Sequence, residues 1–153
     1  MTKGTTMSNP GAETTLEAAR DAVRREAAGV LAVADQLDES FVAAADLLEH
    51  CAGKVFVVGS GTSGTIARRM AHLLAVSGTP SVFVHPMDAL HGTMGAFAGD
   101  DILIGISRGG ETTEINDLMV LSQKRGMRVI GLTAEPDSTL GRGAGITVVL
   151  TTE

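Results

Sequence analysis

Lys54-Val55-Phe56-Val57-Val58-Gly59-Ser60-Gly61-Thr62-Ser63-Gly64 and Ile102-Leu103-Ile104-Gly105-Ile106-Ser107-Arg108-Gly109-Gly110-Glu111-Thr112 are built alike: a short apolar run, a turn rich in glycine and hydroxyls, then a helical pattern. A glycine after a strand lets the backbone turn tightly, and the positive end of the next helix adds to the free N–H groups, so each turn suits an anion. Ser60, Thr62, Ser63, Ser107, Thr112 and Thr113 bring hydroxyls that can donate to phosphate oxygens. Two such turns at the carboxyl ends of neighbouring parallel strands converge on one phosphate at a topological switch point.

Outward from these turns the same alternation continues. Residues 54–58, 81–85, 102–107, 128–133 and 146–151 are short runs rich in Val and Ile, apolar on both faces as buried parallel strands are. Helical patterns over 63–77, 112–125 and, briefly, 138–141 lie between them. Strands alternating with helices mean an α/β fold with right-handed crossovers. Ahead of the first strand, Thr14-Thr15-Leu16-Glu17 reads as a capping box opening a helix. Leu16, Ala19, Val23, Val30, Val33 and Leu37 then form an apolar seam, which serves either packing within the domain or contact across a subunit boundary. Asp38 or Ser40 caps a second helix that turns Phe41, Ala45 and Leu48 inward and ends at Gly53. Residues 1–13, polar and without an apolar stretch, are expected to be a disordered tail, neither signal peptide nor membrane helix, leaving 14–153 as one domain.

Composition narrows the partners. A net charge of −6 argues against nucleic acid, which normally requires a basic patch. With no Trp or Tyr and four Phe, the chain lacks aromatic platforms for bases or neutral sugar rings, so a bound sugar has to be held mainly by a charged handle. The lone Cys51 excludes an internal disulfide and fits the cytoplasm. No stretch suits a membrane, and a mean hydropathy of +0.21 describes a well-packed domain.

Other chemistries fit less well. Gly59, Gly61 and Gly64 match the dinucleotide fingerprint, but the acid that should follow the second strand is displaced to Asp88, beyond Pro86. Ser63 lacks the glycine two places on that a nucleophile elbow needs. His85, Asp88 and His91 have a metal-like spacing with no second ligand cluster, so no metal is expected. Glu111 and Glu114 open the helix after the third strand; both can complement its dipole, and one of them facing the anion can act as a general base.

At these residues the chain resembles the sugar isomerase (SIS) domain family, over roughly residues 16–153. The carrying motifs are Gly-x-Gly-x-Ser-Gly at Gly59 to Gly64 and Ser-x-Ser-Gly-x-Ser/Thr at Ser107 to Thr112. Gly78-Thr79-Pro80-Ser81-Val82-Phe83-Val84-His85-Pro86 and Ala89-Leu90-His91-Gly92 are most similar to the arabinose-5-phosphate isomerase branch. The resemblance implies a three-layer α/β/α sandwich on a five-stranded parallel sheet of order 2-1-3-4-5. It also implies aldose–ketose isomerisation of a sugar phosphate through an enediol, with no cofactor, in a homodimer or homotetramer; a non-catalytic phosphosugar-binding or oligomerisation module is the alternative. Phosphate binding falls to Gly61, Thr62, Ser63, Ser107, Arg108, Gly109 and Thr112. Glu114, favoured over Glu111, becomes the base, and His91 the handler of oxygen-bound protons. Thr62 stands where that branch has a lysine, although a Thr-Ser pair is familiar in the isomerase domain of glucosamine-6-phosphate synthase. Gly109 replaces the second serine of the phosphate motif, beside Arg108. Family members continue past the fifth strand into a further helix, and often into regulatory modules, so the sheet here is expected to be covered by a partner subunit or the amino-terminal helix.

Overall fold

The computed structural model describes residues 10–151, and the chain divides into two units, one carrying the first helix and the other running from Gln36 to Thr151. In the first unit, α1 (Pro10–Ala34) begins a turn before the expected Thr14. Proline suits a first helical turn because its missing N–H would have had no intrahelical acceptor there. Thr14 therefore lies inside the helix and not at its start, and only residues 1–9 of the expected tail lie outside the described residues. The seam residues Leu16, Val23 and Val30 are 51%, 69% and 73% exposed.

The second unit opens with α2 (Glu39–Glu49), capped by Asp38, whose carboxylate accepts from the Ser40 N–H at 2.8 Å. Then come β1 (Val55–Gly59), α3 (Gly61–Val76), β2 (Ser81–Phe83), α4 (Pro86–Leu90), a 3₁₀ turn (Thr93–Ala96), β3 (Ile102–Ile106), α5 (Thr113–Lys124), β4 (Arg128–Thr133), α6 (Thr139–Gly143) and β5 (Ile146–Val149). All strand pairs are parallel, in the order β2-β1-β3-β4-β5, as the resemblance implies.

Alternation along the strands builds a core on each face of the sheet. Val55 and Val57 join Ile102, Ile104, Ile130 and Val148 under α2 and α3. Phe56, Val58, Leu103 and Val129 point the other way, against Ile115 and Leu118 of α5, Leu140 of α6 and Ala89 of α4. At the amino ends of β1 and β3, the Asp101 carboxylate accepts from the Lys54 and Ala98 N–H groups at 2.7 Å each, tying the two strands together.

Two local expectations change. The inward face of α2 carries Ala44 and Leu47, with Leu48 partly buried, while Phe41 and Ala45 are exposed. The helix lies on β5. The segment after β2 is helical where the sequence pattern suggests a plain loop: Pro86 stands at the first position of α4, where its fixed φ favours a helical start. Among the described residues no helix is long and apolar enough to cross a membrane.

Candidate functional site

The strand order places a switch point between β1 and β3. From β1 the chain leaves through α3 on one face to β2; from β3 it leaves through α5 on the other face to β4. Gly59 and Ile106 are register partners, so Ser60 and Ser107 leave the sheet side by side, with strands about 4.8 Å apart. The two sequence turns are thus neighbours at the carboxyl edge, in the crevice where open α/β sheets bind ligands.

The first turn is short. Ser60 is extended, and α3 starts at once with Gly61 at φ +55°. A Cβ on Gly59 would stand 2.6 Å from the Ser63 carbonyl oxygen, and one on Gly64 2.8 Å from that of Gly59. Both glycines are required by this close approach of helix to strand. Gly64 N–H is taken by the Ser60 carbonyl at 3.1 Å, while helix geometry leaves the N–H groups of Gly61, Thr62 and Ser63 without intrahelical acceptors. Gly61 and Thr62 are exposed and Ser63 half-buried.

The second turn is held more firmly. Ser107 is buried, and its Oγ lies 2.9 Å from Thr112 Oγ1, so two of the expected phosphate-binding hydroxyls are brought together. Gly110 N–H donates to the Ser107 carbonyl at 3.1 Å. The Arg108 carbonyl accepts from Ala134 N–H at 2.9 Å and from the Thr133 hydroxyl at 3.0 Å, and the Arg108 side chain is left exposed. The Gly110 carbonyl accepts from Leu140 N–H at 3.0 Å and from Asn116 Nδ2 at 3.1 Å. Among the described residues, the N–H groups of Gly109, Glu111 and Thr112 donate to no acceptor.

The two candidate bases separate. Glu111 accepts from the Thr139 N–H at 2.8 Å and from its hydroxyl at 2.7 Å. Those two bonds, the hydroxyl first, hold its carboxyl below the ordinary value. Glu111 is thereby committed to the start of α6. Glu114 is half-buried in the first turn of α5. His91 is exposed at the end of α4, which packs against α5. Among the described residues no three His, Cys, Asp or Glu side chains gather as metal ligands. A cavity of about 430 Å³, lined by Asp46, Leu47, His50, Met127 and Arg128, lies at the amino end of β4, opposite the two turns. We place the site at the turns, where polar groups converge.

The braces Asn116, Thr133 and Thr139 are hard to read from the sequence, because they reach the second turn from later elements. The one available signal is Asn116, a polar residue beside the apolar positions Ile115, Leu118 and Met119.

A parallel sheet of order β2-β1-β3-β4-β5 with two glycine- and hydroxyl-rich turns meeting at its switch point defines a doubly wound α/β module. This chain belongs to the SIS domain family, whose model matches residues 48–153. It is 40% identical over 111 residues to arabinose 5-phosphate isomerase KdsD of Pseudomonas aeruginosa, covering 72% of this chain and 34% of that protein. The chain thus spans about a third of that relative's length. Among solved structures, the Escherichia coli CFT073 protein c3406, in complex with a sugar phosphate, superposes with a TM-score of 0.86 at 34% identity, covering 95% of this chain and 77% of that one. A Listeria monocytogenes structure gives 0.89 at 32%, covering 95% and 76%.

Proposed function

We propose that this chain binds a sugar phosphate at the two turns and, in the protein to which it belongs, isomerises it between aldose and ketose. The observation that carries the reading is the Ser107–Thr112 hydroxyl pair standing beside the β1 turn at the switch point. Its similarity to arabinose 5-phosphate isomerases and to the Escherichia coli sugar-phosphate complex supports the substrate class. Ser63, Ser107 and Thr112 hydroxyls, with the N–H groups of Gly61, Thr62 and Gly109, hold the phosphate, and the Arg108 guanidinium adds a cation at the mouth. Held by that handle, the open-chain sugar presents the carbon next to its carbonyl to Glu114. The Glu114 carboxylate takes the proton from that carbon, an enediol forms, and the proton returns to the former carbonyl carbon. His91 moves the proton between the two oxygens. The free Cys51 thiol is in keeping with a cytoplasmic setting.

The test is exchange of the substrate's carbon-bound proton with deuterated solvent, using arabinose 5-phosphate and the full-length protein. Glu114→Gln keeps shape but cannot accept a proton, so kcat should fall about a hundredfold or more with KM little changed. Glu111→Gln should leave exchange largely intact. Full exchange in Glu114→Gln would remove that residue from the mechanism, and no exchange in the parent protein would remove the reaction.

A further inference from the structure

Asn116 sits on the buried side of α5 at 9% exposure, next to Ile115 and near Leu118 and Met119. Its Nδ2 donates to the Gly110 carbonyl at 3.1 Å, while its Oδ1 is buried with no hydrogen-bond partner among the described residues. Exchanging amide oxygen and nitrogen would set Oδ1 against that carbonyl, so the neighbour fixes this orientation. A buried acceptor without a donor costs stability, and a leucine here would continue the apolar face at no such cost. The expense falls beside the anion turn. Gly110, which Asn116 holds, stands at φ +66° and closes the turn on Ser107. On either side of it stand the unclaimed N–H groups of Gly109, Glu111 and Thr112.

We propose that Asn116 is a positioning residue for phosphate: it donates to the Gly110 carbonyl and so keeps the turn's N–H groups in the conformation that meets the anion. The proposal rests on the phosphosugar reading of the same turn. It predicts that stability and affinity move in opposite directions, since replacing Asn116 relieves the orphaned oxygen and loosens the turn.

The experiment measures melting temperature together with titration of inorganic phosphate and arabinose 5-phosphate, for the parent protein, Asn116→Leu, Asn116→Ala and Leu118→Ala. Asn116→Leu should melt no lower than the parent yet bind both ligands about tenfold more weakly. Asn116→Ala should show the same loss of affinity, which keeps the question answerable if leucine does not fit. Leu118→Ala, fully buried on the same helix, should melt lower and bind normally. Phosphate affinity within twofold of the parent in both Asn116 variants overturns the proposal, as does a loss in Leu118→Ala equal to theirs. Absence of binding in the parent overturns the phosphosugar reading and the proposal with it.

Discussion

Gly109 and Gly110 are adjacent in one turn but answer to different constraints. Gly110 has φ +66°, and a Cβ on it would stand 1.8 Å from Ser138 Oγ and 3.1 Å from Thr133 Oγ1, so glycine is obligatory. Gly109 has no positive φ, and a Cβ there meets nothing within 4 Å. The family motif has a serine at this place, and the fold leaves room for one. Gly109→Ser should therefore add a hydroxyl to the turn and tighten phosphate binding severalfold, about 1 kcal/mol, without lowering stability. Gly110→Ala should lose stability and phosphate together, by about 1–3 kcal/mol for the strained backbone alone. Titration with inorganic phosphate and thermal melting separate the two; a Gly109→Ser variant that binds more weakly would mean that its hydroxyl points away from the anion.

Among the elements, α6 shows how a five-residue helix is held. Ser138 Oγ accepts from Gly141 N–H at 3.1 Å, and Glu111 reaches from the other side of the turn to take both donors of Thr139. The bonds favour the charged carboxylate, so its folded pKa lies below the ordinary glutamate value of 4.5. A depressed folded pKa contributes stability that is complete above the unfolded value and lost as pH falls through the folded one. Glu111→Gln should thus melt below the parent at pH 7, with the gap closing as the pH drops below about 4.5. A gap independent of pH would show that the charge is immaterial to the brace. Packing also accounts for the face that α2 turns inward. Ala44 and Leu47 meet the sheet, while Phe41, in the first turn of the helix, stays outside the contact.

Over the molecule as a unit of association, large apolar side chains stand exposed on α1, α2, α3 and α5. α3 buries Gly64, Ala67 and Ala71 and turns Ile66 and Leu73 outward, at 55% and 46% exposure. α1 exposes Val23, Val30 and Leu31. Exposed apolar side chains favour association, and closed symmetric assembly is the usual outcome. We expect a dimer or tetramer in solution by light scattering at low micromolar concentration, with α1 in the interface. Val23→Glu with Val30→Glu should shift it toward the 15.7 kDa monomer. A parent that already runs as a monomer, unchanged by the double substitution, would count against association.

The α/β class, the five strands and the two glycine- and hydroxyl-rich turns are all written locally in the chain, because they rest on periodicity, on glycine and hydroxyl placement, and on motif spacing. Helix α4 is locally encoded too, in Pro86 and the residues after it, but its brevity hides it. What each of the two carboxylates bonds to is decided at a longer range. Glu111 and Glu114 stand three residues apart at one helix start, and it is mainly the resemblance that favours the second. Folding brings Thr139 from beyond β4 to occupy the first and leaves the second half-buried in the first turn of α5. Asn116 likewise becomes legible through its contact with Gly110, since a polar side chain on an apolar face declares its purpose only by the group it meets.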